Sequence, residues 1–225
     1  MARNEQRQPL SAARVLGAAL AIADASGTEA LTMRRLGQEL GVEAMSLYKH
    51  VAGKDAVLAG IADLVVGEIA LPSPGEEWKA AMRHRAVSAH EVLMRHPWAA
   101  RLLMSRVNVG PAMLRYVDST IGTLREAGFG VELADRAWNA MDSHIYGFTL
   151  QRLTFPFEPQ EYAGVAETHL PLLEAGEYPH LGEMAGAVMS GSYDGAPDFT
   201  FGLDLILDGL ERLLGERRGP ARRVR

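Results

Sequence analysis

Apolar residues recur every three or four positions along most of the chain, and that rhythm is helical. Ser11 is placed to cap a first helix whose buried side carries Val15, Leu16, Ala19, Leu20, Ile22 and Ala23, and Gly27 ends it. Thr32 caps a second helix, with Met33, Leu36 and Leu40 on one side and Gly41 as its left-handed stop. A third helix is predicted over Glu43 to His50, with Leu47 and Val51 turned inward. At about 100° per residue, its opposite side carries Met45, Ser46, Tyr48 and Lys49. From Gly53 a fourth helix is predicted to about Ala70, on the stripe Ala56, Val57, Ile61, Leu64 and Val65.

Leu-Pro-Ser-Pro-Gly, residues 71 to 75, breaks the rhythm and divides the chain into 1–70 and 71–225. Helical spacing then resumes over Glu76 to Arg95, Trp98 to Met104, Pro111 to Ala127 and Val131 to Phe155. Prolines and glycines punctuate 156–197, where one or two short helices are expected, around 159–175 and 180–189, before a loop over 189–197. The last helix, Asp198 to about Glu216, places Phe199, Leu203, Ile206, Leu210 and Leu213 on one stripe. Leu205, Leu207 and Leu214 lie off that stripe, a surplus to be buried within the domain or against a second copy of the chain. No stretch has a convincing period of two, so the fold class is all-α.

Composition narrows the function. The 225 residues contain no cysteine, which excludes disulfides, thiolate metal sites and thiol nucleophiles. The amino-terminal arm, with Arg3 and Arg7, is polar, and no apolar run reaches bilayer-spanning length, so a cytoplasmic protein with no membrane partner is expected. Charge is uneven: residues 1–60 hold seven Lys or Arg against six Asp or Glu, and residues 61–210 hold ten against twenty. The acidic middle would face away from phosphates. A basic tail follows, with Arg217, Arg218, Arg222, Arg223 and Arg225.

The third helix offers a hydroxyl, a phenol, an ammonium and, at its edge, the His50 imidazole. Such a face fits the major groove of duplex DNA, and Arg34 and Lys54 lie where cations meet backbone phosphates. The same spacing serves a plainly packed αα-hairpin, and composition does not separate the two. His84, His90 and His96 recur every six residues, which does not bring them to one helix face, so no metal site is expected. No phosphate-binding glycine loop, nucleophile elbow or paired-histidine zinc motif is found, and no cofactor is expected.

The run Leu40 to Lys54, Leu-Gly-Val-x-x-x-x-Leu-Tyr-x-His-x-x-x-Lys, resembles the signature of the TetR family of bacterial transcription regulators. So does Ala-Leu-Thr-Met-Arg-Arg-Leu, residues 30 to 36, and Tyr178-Pro179-His180-Leu181 resembles a motif of tetracycline-repressor-like C-terminal domains. The resemblance implies an N-terminal three-helix helix-turn-helix domain and a C-terminal helical bundle for ligand binding and dimerisation. It also implies a homodimer paired through the last helix and the 131–155 segment. The expected function is a ligand-responsive repressor, released from a palindromic operator in double-stranded DNA by a small-molecule effector. DNA contacts are expected from Ala44, Met45, Ser46, Tyr48, Lys49 and His50, with Thr32, Arg34 and Lys54 on the backbone. Where many relatives carry Gln or Thr, this chain has Ala44 and Met45, so readout is expected to lean on DNA shape or on a thymine methyl. Some relatives hold a magnesium-bound drug, but that site has no residue-by-residue match here. Candidates for an effector pocket are Trp98, Met104, Trp138, Met141, His144 and Phe148. Two rival readings stand: a small-molecule-binding helical protein or enzyme whose amino-terminal hairpin is structural, and an architectural DNA-binding protein without an effector.

Overall fold

Ser11 accepts the Arg14 backbone N–H and starts α1 (Ala12–Ser26), which Gly27 closes. Thr32 does the same for α2 (Met33–Leu40) by accepting the Arg35 N–H at 3.1 Å. Gly41, at φ 66°, then turns the chain into α3 (Ala44–Leu47). The computed structural model describes residues 9–73, 75–106, 108–173 and 177–218, and these form eleven α-helices and no strand. Arg3, Arg7, Arg222, Arg223 and Arg225 and the side chains of Arg217 and Arg218 lie outside the described residues.

Two expected helices end early. The third is one α-helical turn rather than the full span to His50. Tyr48 stays in the helical region, and His50 and Val51 then both donate to the Leu47 carbonyl, closing the chain into a turn. No side chain caps its start, so nothing local prolongs it. The fourth, α4 (Lys54–Val66), stops before Gly67, and the next N–H groups fold back onto Val65 and Val66.

The core falls into two clusters that meet inside α4. Val57, Leu58 and Ile61 pack with Val15, Ala19, Ile22, Leu31, Leu36 and Leu47 in the head. Ala62, Val65 and Val66, on the same helix, pack into the body. The body is built on α5 (Trp78–Arg95), which touches α6 (Pro97–Met104), α7 (Pro111–Glu126), α8 (Val131–Thr154) and α11 (Phe199–Arg218). Met82, Ala86, Leu93, Leu124, Met141, Ile145 and Leu203 fill its centre. By contrast, α9 (Tyr162–Leu173) and α10 (Pro179–Met189) pack chiefly on each other. No helix among the described residues is long and apolar enough to cross a membrane.

Polar contacts pin head to body. Asp24 of α1 accepts the Trp98 indole N–H and pairs with His96 Nδ1, both at 2.7 Å. His96 Nε2 reaches Glu68 at 3.3 Å, and Arg95 donates to the same carboxylate at 2.8 Å. Partial burial works to raise the Glu68 pKa, but the bonds from Arg95 and His96 outweigh it and hold it below the usual range. Farther along α4, Asp63 accepts the backbone N–H groups of Ala112 and Met113 at 3.1 and 2.9 Å. It thereby caps α7, whose own N-cap, Gly110, has no side chain to do so.

Candidate DNA-binding surface and effector chamber

Gly37 sets the clasp between α2 and α3. A Cβ there would stand 2.9 Å from the Val42 carbonyl oxygen and 3.2 Å from the Ala44 nitrogen, so only glycine lets the two backbones meet. Leu47 is then driven fully into the head core, and this fixes the rotation of α3 about its axis. Met45 is left 75% exposed and Tyr48 50% exposed, with Lys49 and His50 beside them. Ala44 and Ser46 are half-buried. The Tyr48 ring leans over the turn before α4, 3.9 Å from where a Cβ on Gly53 would sit.

Thr32 already spends its oxygen as the α2 cap, which leaves its O–H for an outside acceptor. Arg34 is exposed at the start of α2, whereas Arg35 donates to Ser26 and ties α2 to the end of α1. Lys54 is exposed as the first residue of α4. Among the described residues, the side chains of Arg34, Tyr48, Lys49, His50 and Lys54 make no hydrogen bond or ion pair within the chain. These polar groups surround the exposed Met45 thioether on one side of the head.

The body holds a cavity of about 460 Å³ between the end of α8, the α9–α10 pair and the loop that follows. Phe148, Phe155, Phe157, Tyr162 and Tyr193 line it with rings, and Val165, Leu181, Met184 and Val188 add aliphatic wall. Phe155 meets Phe157 and Tyr162 edge-on at 5.9 and 5.8 Å. Gly195, at φ 70°, lets the loop close on the Tyr162 ring, 3.1 Å from where its Cβ would stand. Polar groups are few: Gln151, His169, and Arg152, which is paired with Glu158 at 2.9 Å.

Of the six pocket residues expected from sequence, only Phe148 lines this chamber. Met141 is sealed in the core. Trp138 gives its indole N–H to Asp142 at 2.8 Å. His144 donates from Nε2 to the Phe199 carbonyl at 2.9 Å and stacks on the Phe199 ring. Trp98 sits at the head–body junction, on a separate cleft of about 640 Å³, and Met104 is 59% exposed at the end of α6. Apart from Gln151 and Arg152, the other walls lie on residues beyond 154, where the rings are spaced irregularly among prolines and glycines. The one signal there is the density of aromatics at 155, 157 and 162.

The three spaced histidines go separate ways. His84 is exposed, His96 joins the head–body contact, and His90 bonds Thr149 at 2.8 Å while stacking on Phe199. Burial lowers the His90 pKa and keeps that ring neutral.

Residues 71–214 match the family model described as the tetracyclin repressor-like C-terminal domain. The chain is 32% identical over 223 residues to the HTH-type transcriptional repressor DrrR1 of Streptomyces coeruleorubidus, spanning 92% of this chain and 80% of that protein. It is 30% identical over 202 residues to the class D tetracycline repressor protein of Escherichia coli, spanning 88% of this chain and 87% of that one. Among solved structures, Streptomyces coelicolor ActR in complex with actinorhodin is similar at a TM-score of 0.80 and 30% identity, over 93% of this chain and 99% of that chain.

Proposed function

The chain belongs to the TetR family of transcriptional regulators, and from that membership we propose a cytoplasmic repressor that a small molecule releases from a palindromic operator. Residues 1–70 serve as the DNA-binding unit and residues 71–225 as the effector and dimerisation unit. The α3 turn of each of two copies enters successive major grooves, roughly 34 Å apart. Met45, Ser46, Tyr48, Lys49 and His50 meet base edges and phosphates, and Thr32, Arg34 and Lys54 fix position on the backbone, with Ala44 close beside them.

One observation carries this reading. The Gly37 clasp and the buried Leu47 rotate α3 so that its polar side chains face outward without internal partners. A second copy is supported by what α8 and α11 leave bare. Ala140, Ser143 and Gly147 form a small-residue strip on α8, while Phe201 and Leu205 stand 66% and 58% exposed on α11. Small residues let helices approach closely, and the large ones fill the space beside them.

The chamber suits a flat molecule of several fused rings, held by stacking and edge-on contacts and oriented by Gln151, His169 or Arg152 at the edge. ActR is bound to actinorhodin in its structure, so a relative at 30% identity takes a small molecule. Moving the regulator decisively between DNA-bound and released states requires about 5.5 kcal/mol of differential affinity. DrrR1 and the class D tetracycline repressor protein are both repressors by name.

Tyr48→Ala and Lys49→Ala test the reading on duplexes selected from a random pool by the wild-type chain. Both variants are expected to lose gel retardation while light scattering still reports a dimer. Normal retardation by either variant would overturn the contact assignment.

A further inference from the structure

We propose that Met45 reads the 5-methyl group of a thymine in the operator's major groove, once in each half-site. The inference rests on the DNA-binding reading above and specifies which base that surface selects.

Met45 is the most exposed large apolar side chain among the described residues, at 75%. In the free protein most of its burial free energy is left unrealised. It sits at the second position of α3, in the first turn, and the first turn of a groove-bound helix is the part that reaches base edges. The neighbours leave it in the lead. Ala44 is held against α2 by the Gly37 clasp, Leu47 is fully buried, and the Tyr48 ring lies over Gly53.

The chemistry then selects a base. A thioether donates no hydrogen bond and accepts only weakly. Of the groups displayed in the major groove, the thymine methyl alone is apolar. Placed over guanine N7 and O6 or a cytosine amine, the Met45 side chain would strip water from polar atoms and offer nothing in return. Over a thymine methyl it buries apolar surface on both sides, and its unbranched stem can adjust to reach it. Readout by DNA shape would not depend on this side chain, so the two explanations make different predictions.

The test starts from duplexes enriched from a random pool by the full chain. The best duplex is resynthesised with deoxyuridine in place of each thymidine in turn, which removes only the methyl group. Affinity for the wild-type chain and for Met45→Ala is read by fluorescence anisotropy. Because Met45 is exposed, the variant is expected to fold normally, and its melting curve checks this. At one position per half-site, loss of the methyl should weaken wild-type binding about fourfold, and loss at both about fifteenfold, the effect of burying one methyl group per site. Met45→Ala should bind the thymidine and deoxyuridine duplexes equally. The proposal is overturned if the wild-type chain binds every substituted duplex as tightly as the parent. It is equally overturned if Met45→Ala loses as much as wild type, or if the enriched half-site contains no thymine. Failure to enrich any duplex would overturn this proposal and the DNA-binding reading together, whereas the other outcomes leave that reading standing.

Discussion

Arg85 has no exposed surface, yet it carries a permanent charge in the middle of the body. One nitrogen, Nη1, donates to Asp142 at 3.0 Å and to the Tyr116 hydroxyl. The guanidinium also lies 5.1 Å from the centre of the Tyr116 ring. Nε and Nη2 have no hydrogen-bond partner among the described residues, so the contact is incompletely satisfied. Burial raises the Asp142 carboxyl against the pull of Arg85 and Trp138, and the same burial keeps the Tyr116 and Tyr146 phenols neutral. Asp142→Leu would leave the buried cation unopposed and is expected to cost about 3–5 kcal/mol. Adding Arg85→Met should restore most of that loss, because two apolar side chains then replace an ion pair in a low-dielectric site. Urea unfolding at one fixed protein concentration checks both. A double variant no more stable than the single one would show that Arg85 is held mainly by its other contacts.

At the scale of elements, α4 and α7 are joined through Asp63. Its carboxylate takes the first free N–H groups of α7, and no Cβ on Gly110 would fit beside it. Asp63→Ala removes this cap and should lower stability by about 1 kcal/mol. It should leave operator affinity near wild type while raising the effector concentration needed for release, since α4 is then tied less firmly to the body. Anisotropy titrations with and without effector, alongside melting curves, separate the two effects. The caps at Ser11 and Thr32 and the turn at Gly41 are legible in sequence because each acts within a few residues. The outward side of α3 is legible too, since Leu47 is the apolar anchor that turns the polar side chains away from the core. Asp63 capping a helix about fifty positions away is not, because nothing near Asp63 marks it. The chamber is obscured for a different reason. Met141, Ile145 and Phe148 share one stripe of α8, and spacing cannot say where α5 stops covering that stripe and the cavity begins. The length of α3 is hidden as well, because Tyr48 through Val51 suit a helix as well as a turn.

For the molecule as a whole, charge and apolar surface point in opposite directions. Residues 61–210 carry twenty acidic against ten basic side chains, so the body is repelled by a phosphate backbone that the near-neutral head can approach. The bare apolar groups of α11 lie in that acidic body. Lys79 and Arg83 of α5 hold Asp208, Glu211 and Asp204 of α11, while Phe201 and Leu205 of the same helix stay exposed. Leu205→Glu is expected to yield a monomer by sedimentation and to weaken duplex retardation at least a hundredfold, because a single head binds only half a palindrome. A dimer that persists would move the interface elsewhere.

The passage from head core to body core between Ile61 and Ala62, within a single rigid rod, limits how such proteins can be recombined. A chimera cut at the proline-rich segment would carry Ala62, Val65, Val66 and Ile69 away from the wall they were shaped to meet. The transplanted reader would then present a sticky apolar flank to any unmatched host. Exchanging specificities between such regulators therefore means moving the α3 turn alone, or redesigning the receiving wall along with it.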